Sequence, residues 1–503
     1  MTATLTCATG TLSPYTPSAA QPWNRRRAAH LFKRLQFGAS FQEIEDALAQ
    51  NPLDIVDAII DEALNTPLPT EPDWADWALS DYPPDQVSEY ATQQVYETVS
   101  EWLTGMYVGN FRERLALFWH NHFVTRIDDY NCPSYMYQYL TLLRQYGMGN
   151  FRTFTYEMGK TPAMLLFLNG VQNTRFEPNE NYARELYELF TLGENNNYTQ
   201  TDIEETARAL TGWNGFTEPC APIDLRPNLH DPGIKTIFGQ TGNWNYDDVH
   251  NILFTHRQDE IATFICRKIY THFVSHEPDE TIIAGMATTF KNNNFEIAPV
   301  LRQLFKSEHF FDEAVLNVHI KSPVEMAIGY LKEAEFPITD FYDADLGYNQ
   351  LFINIYFLTA QLGQQLLNPP NVAGWEGDTI WVNNATLTAR WNLSDLFLGA
   401  TVSQNNPSNG TPLALTLVNL ARNISDIPND PAFVTELIVD LFIPQGLQTP
   451  QDYEKATDAF KWEVPENYFE DGSWNLYWED NIIAGQMYSL LRYITRFPEY
   501  QLS

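Results

Sequence analysis

From Asn24 to the end of the chain, segment after segment has the length and apolar spacing of a helix, and each is closed by glycine, proline or a polar turn. That succession constrains the fold more than any other feature. RRRAAHLFKRLQF is stopped by Gly38, and Ser40 with Glu43 three residues on forms a capping box for the next helix. Amphipathic spacing predicts further helices over 52–64, 86–106, 110–123, 133–146, 150–159 and 161–168. Beyond the middle of the chain it returns at 247–254, 258–275, 279–291, 296–306, 322–334 and 350–367, and again from Ala385. No internal repeat interrupts the series. The expected fold class is all-α, a large multi-helix single body with a little extended structure in long loops. Residues 1–23, rich in Thr, Ser and Pro, read as an extended arm. Residues 24–391 read as the main domain, and 392–503 as a C-terminal helical region packed on it.

Two stretches depart from the helical pattern. Residues 214–246 are rich in Pro, Gly and Asn, which predicts a long loop or small hairpin. Loops of that length inside a compact body are often functional. The second, Pro178–Trp213, reads as two helices joined by a polar turn. In its first helix Asn181, Arg184, Glu185 and Glu188 recur at i, i+3, i+4 and i+7, so an amide, a guanidinium and two carboxylates share one face. This helix is expected to be central and largely buried, with helix 111–122 near it and the long loop folded back over it.

Charge narrows the function classes. Asp and Glu number 64 against 30 Lys and Arg, a formal net charge of -34, and no Lys or Arg occurs between Arg34 and Arg112. Nucleic-acid binding requires phosphate-neutralising bases, so this balance argues against it. No stretch is long and apolar enough to span a bilayer. The first residues carry neither a basic region nor a continuous apolar run. A cytoplasmic location is therefore expected, with a periplasmic or exported one as the alternative. The four cysteines (Cys7, Cys132, Cys220, Cys266) are scattered without a C-x-x-C pair, so unpaired structural thiols are expected.

The residues that could carry chemistry lie in a few places. His120 and His122 in LALFWHNHFVT are two apart, which points them nearly opposite ways on a regular helix. They are either buried histidines satisfied by hydrogen bonds or, with Glu185 and Glu188, ligands of a divalent metal. No H-E-x-x-H signature supports the metal reading. His230, Asp231 and Lys235 in the long loop suit either a binding site or a capped turn. Asn371 and Trp375, after Pro369-Pro370, suit sugar stacking or simple packing. Asp343, Asp345 and Gly347 imitate a fragment of a calcium loop but lack its closing Glu.

Several motifs occur in order: RRRAAHLFKRLQFG, LALFWHNHFVT, PAMLLFLNG, PNENYARELYELFTLG, YTQTDIEETARALTGW, HDPGIKTIFGQTG, IKSPVE and PPNVAGWEGDTIWVNNATLTAR. Together they resemble the bacterial family known as domain of unknown function 1800, over nearly the whole chain. The resemblance implies a helical protein, commonly exported, often encoded beside a domain of unknown function 1501 protein. It implies no established activity or cofactor. One departure is Asn169 in FLNG, where relatives more often have Asp.

Two functions are consistent with these residues. One is an enzyme with a buried His/carboxylate/Arg cleft, hydrolytic or metal-assisted, on a polar or glycan-derived small molecule. In it Glu185, Glu188 and His120 are candidate acid–base groups, Arg184 is the anion holder, and Asn181, His230, Asp231, Lys235, Asn371 and Trp375 bind substrate. The other is a non-catalytic helical scaffold or assembly partner, whose polar residues form a satisfied network.

Overall fold

Ser40 and Glu43 form the expected capping box: Ser40 Oγ accepts from the Glu43 N–H at 3.2 Å, and Glu43 Oε2 accepts from the Ser40 N–H at 2.7 Å. Side-chain caps open helix after helix, with Asn24, Asn51, Asn110, Asn150, Thr161 and Ser322 each accepting from an N–H of the first turn. The computed structural model describes residues 10–215, 217–398 and 412–503. The first nine residues of the arm, Cys7 included, lie outside the described residues. Within them the chain forms 24 α-helices and three two-stranded sheets, so the protein is a large, single, mainly helical body. One apolar core runs from Tyr15 to Tyr500. No described helix is long and apolar enough to cross a membrane.

Helix Phe111–His122 is the buried axis of the molecule, for every residue in it except Asn121 is buried. It packs against helices Arg25–Gln36, Pro52–Asn65, Val87–Tyr107 and Pro133–Tyr146. The described part of the arm, residues 10–23, lies extended against 306–309. There the Tyr15 N–H donates to the Lys306 carbonyl at 2.8 Å, and the His309 N–H to the Thr11 carbonyl at 3.0 Å.

The polar row at 181–188 is placed differently from expectation. Tyr182, Ala183, Leu186 and Tyr187 are buried, but Asn181 is exposed and the Arg184 side chain keeps 36% of its accessible surface. Its apolar face is driven into the core, which leaves the charged face toward water. The α-helix also ends at Glu185 and continues as a π-helix over Leu186–Thr191. The wider turn is closed by the Leu192 N–H donating to the Tyr187 carbonyl at 2.8 Å.

Residues 213–246 hold two small antiparallel pairs, Trp213–Gly215 with Asp224–Leu225 and Lys235–Ile237 with Gln240–Gly242. This region packs on helix Gln200–Ala209: Asp202 accepts from the Phe238 N–H at 2.7 Å, and Glu205 from the Thr236 N–H at 3.0 Å. The expectation of unpaired thiols is overturned here. Cys132 and Cys220, 88 residues apart, form a disulfide. No sequence pattern marks them because the fold, not local spacing, brings the start of helix Pro133–Tyr146 beside the loop. Tyr135 hydroxyl donating to the Ala221 carbonyl seals the same junction. Among the described cysteines Cys266 is free and buried.

Candidate functional site

On helix Phe111–His122, Arg114, Leu117, Phe118 and Asn121 recur at i, i+3, i+4 and i+7, so they share one face. Lys268, Thr271 and His272 recur at i, i+3 and i+4 on helix Gln258–Phe273. These two faces enclose a cavity of about 440 Å³ together with His276, the segment His319–Ser322, Glu325, Gln364 and the loop from Ala373 to Trp381.

The loop is held onto the axial helix by one amide. Asn121 Oδ1 accepts from the Trp375 N–H at 2.6 Å, and Asn121 Nδ2 donates to the Trp375 carbonyl at 3.2 Å. Gly374, at φ +83°, makes that approach possible, because a Cβ there would collide with the Asn121 side chain. Trp375 and Trp381 are thereby buried in the wall.

The inner wall is charged. Arg114 is fully buried, lies over the Phe37 ring at 4.7 Å, and gives Nη2 to Glu325. Glu325 also closes the capping box of helix Pro323–Glu333 by accepting from the Ser322 N–H at 2.6 Å. Behind this pair Arg34 stands 3.9 Å from Glu325 and donates to the Phe273 carbonyl at 3.0 Å. Burial would push the Glu325 carboxyl up, but Arg114 and Arg34 outweigh it and hold it well below the usual range. Burial lowers Arg34 to about 9, with Glu325 opposing and Arg114 adding to the shift.

Burial keeps His122, His272 and His319 neutral. Burial lowers His122 and His319 to about 3, and His272 well below its usual value. His122 Nε2 donates to the Phe190 carbonyl at 3.1 Å, which leaves Nδ1 as an unprotonated acceptor with no partner. Four other buried atoms of the lining residues also lack a hydrogen-bond partner: Arg114 Nε and Nη1, His272 Nε2 and Trp375 Nε1. At the mouth, exposed His276 stands 4.0 Å from Asp378. Lys268 and Glu376 there are exposed as well.

Of the residues singled out in the sequence, His122 and Trp375 line this cavity. His120 does not. Tyr139 hydroxyl donates to the Phe123 carbonyl at 2.7 Å, so His120 Nδ1 donates to that hydroxyl at 2.8 Å, while Nε2 accepts from the Leu367 N–H at 3.1 Å. Both ring nitrogens are occupied, and no lone pair is left for a metal. Arg184 is spent on Glu180 at 2.9 Å, Glu188 at 3.3 Å and Gln200 at 2.9 Å. Glu185 beside it is half-buried, and burial with the Glu188 charge pushes its carboxyl up to about 7 against the pull of Arg184.

His230 Nδ1 lies 3.1 Å from the Thr211 carbonyl, and Asp231 accepts from Arg208 at 2.7 Å. Lys235 donates to the carbonyls of Asp231 and Gly233 at 2.6 and 2.9 Å. These three shape the loop on helix Gln200–Ala209 and do not reach the 181–188 row through these bonds. Asn371 is exposed and accepts from the Ala373 N–H at 2.8 Å, a turn within its own loop. Asp343 caps a small hairpin by accepting from the Asp345 N–H at 3.0 Å. Among the described residues no group of three or more His, Cys, Asp or Glu is set to hold a metal ion, so His120, His122, Glu185 and Glu188 do not converge as ligands.

Sequence reasoning missed Arg114, Lys268, His272, His319, Glu325 and Gln364. The i, i+3, i+4, i+7 set on helix 111–122 was legible and outweighed by the more conspicuous histidine pair. A family model described as Protein of unknown function (DUF1800) matches residues 30–502. No curated protein and no solved structure matches the chain.

Proposed function

The chain belongs to that family of unknown function, DUF1800, and on this premise we propose that it is an enzyme whose site is the cavity behind Trp375, hydrolysing a small polar or glycan-derived substrate. One observation carries the reading. Arg114 is fully buried in the cavity wall, and its Nε and Nη1 have no hydrogen-bond partner, although Nη2 donates to Glu325 and the group lies over the Phe37 ring. Buried polar groups in a finished structural network are satisfied, and leaving a charged donor bare is costly, so the wall is built to be completed by a ligand.

The volume falls in the range of small-molecule sites. Trp375 and Trp381 supply aromatic surface beside amide, imidazole and guanidinium groups, a mixture suited to a hydroxyl-rich molecule. His276 with Asp378 at the mouth is the candidate acid–base group, since it is accessible and stands beside a carboxylate that can orient it. The test is turnover of 4-nitrophenyl glycosides and esters, with the thermal shift of the protein recorded in each. His276→Ala is expected to lose at least a hundredfold in turnover and to keep the ligand-induced shift. Neither turnover nor any shift across the panel would end the enzyme reading.

A second reading, the non-catalytic scaffold, is favoured by the 180–200 region, where Arg184 is fully paired within its own surface network. The Cys132–Cys220 bridge supports an oxidising compartment, hence the periplasmic or exported location over the cytosol.

A further inference from the structure

We propose that the ligand of this cavity is a small monocarboxylate, its carboxylate seated against Arg114 and its polar body toward the mouth. The inference rests on the cavity being a small-molecule site, and charge and burial extend it.

Arg114 in the inner wall and Arg34 behind it set two guanidinium groups against one carboxylate, Glu325. Both arginines are buried, with at most 1% of either side chain exposed. The imidazoles that face this group, His122, His272 and His319, are neutral and cancel nothing. The remaining lining from Gln364, Thr271 and Ser322 is uncharged. Lys321 and Arg390, both buried, also act on Glu325, so cations outnumber carboxylates around this wall in a chain whose formal net charge is -34. An unbalanced buried cation is strongly unfavourable, and an anion balances it. The anion's hydrogen-bond donors are in place as Nε and Nη1 of Arg114, which lack a hydrogen-bond partner, with Trp375 Nε1 on the loop side of the same cavity.

The mouth sets the charge of the ligand. Glu376 and Asp378 stand there against Lys268, so the entrance is net negative by one. A dianion such as a phosphate monoester meets about twice the repulsion there that a monocarboxylate meets, and either supplies an anion to the inner wall, so the entrance favours the monocarboxylate. Its uncharged remainder meets Trp375, Trp381 and Phe118, which suits a ring or short polar chain.

The test uses three hexoses that differ only at carbon six: glucose, glucuronate and glucose 6-phosphate, with acetate and sodium chloride as minimal anions. Binding to the intact, disulfide-bonded protein is measured by calorimetry at constant ionic strength. Glucuronate is expected to bind at least tenfold more tightly than glucose or glucose 6-phosphate, and acetate to compete with it while chloride does not.

Because Arg114 variants strand Glu325 and can fail to fold, the deciding variant is Glu376→Gln, an exposed position. It is expected to tighten glucuronate several-fold and to leave glucose unchanged. Trp375→Phe, which removes an N–H that has no partner in the free protein, is expected to weaken glucuronate. Equal binding of glucose and glucuronate overturns the carboxylate while keeping a small-molecule site. Preference for glucose 6-phosphate or chloride overturns the monocarboxylate alone. Binding of none of the probes overturns it as well, and the turnover panel then decides the enzyme reading separately.

Discussion

Glu185 shows how a residue can be conspicuous in sequence and still be only partly placed by it. Its position beside Arg184 and Glu188 was legible from helical spacing. Its environment was not, because the face on which it falls depends on which side of the helix the core takes. Burial and the Glu188 charge raise its carboxyl to about 7. An acid whose folded pKa lies above its unfolded value contributes stability that is present below about 4.5 and lost as pH rises through about 7. Glu185→Gln removes that dependence. Thermal unfolding followed from pH 4 to 8 is expected to give equal midpoints for variant and wild type at the acid end. At pH 8 the variant is expected to be the more stable, by on the order of 1 kcal/mol once solvent screening of a half-exposed group is allowed for. A variant that is less stable at pH 8 would mean that Arg184 needs this carboxylate and that the network is structural. Arg114 is the opposite case. In FRERLALFWHNH it reads as one charge among three, and its partner Glu325 lies 211 residues away, beyond any local pattern.

At the scale of elements, most helices were legible nearly to their ends, because caps and apolar periodicity are local; the one expected over 350–367 stops at Gln361, where Gly363 at φ +94° breaks it. The long loop was legible as a loop, and its hairpin was foreseen. Its docking was legible only in part. Phe238 packs on Tyr187 with ring centroids 5.0 Å apart, as a loop folded over that stretch of helix requires, but Asp231 pairs with Arg208 of helix Gln200–Ala209, whereas contact with the polar row at 181–188 was expected. The pairing of Cys132 with Cys220 was invisible, since two cysteines 88 residues apart carry no spacing signal. This bridge joins the loop to the start of helix Pro133–Tyr146, where the Leu79 N–H also donates to the Pro219 carbonyl at 3.0 Å. A closed loop of that length is worth ~4–5 kcal/mol in the chain-entropy model, and measured values commonly run to ~2–4. Cys132→Ser, or reduction of the wild type, is expected to lower the unfolding midpoint and to expose 214–246 to protease before the helical body is cut. Unchanged stability on reduction would show that the loop is held by its polar contacts alone.

Across the whole molecule, the class of fold follows from the sum of local signals, while the contacts that join distant parts do not. Lys33 and Glu333 form an ion pair in which neither side chain exceeds 4% exposure, and Lys33 also lies 3.4 Å from the Phe442 carbonyl. One buried ammonium thus ties the first long helix, the helix that carries Glu325 and a helix of the last hundred residues. Glu333→Gln leaves that ammonium unbalanced and is expected to cost ~3–5 kcal/mol. If the three parts unfold together, the loss appears as a lower midpoint of one transition. Two separated transitions in the variant would show that the C-terminal helices keep their own stability.

The cavity's two sides also differ in their freedom to change over evolutionary time. Arg114, Phe118 and Asn121 belong to a helix that four other helices grip, so replacing any of them disturbs the interior of the molecule. The opposite side, from Ala373 to Trp381, is a strip of loop fastened by the Asn121 amide, a glycine and two buried tryptophans. It belongs to a motif that carries the family resemblance, so only its exposed positions, Ala373, Glu376, Thr379 and Ile380, can change without disturbing the frame. Divergence in what such proteins recognise is then expected to begin at those positions, around an anchoring asparagine and glycine that stay fixed.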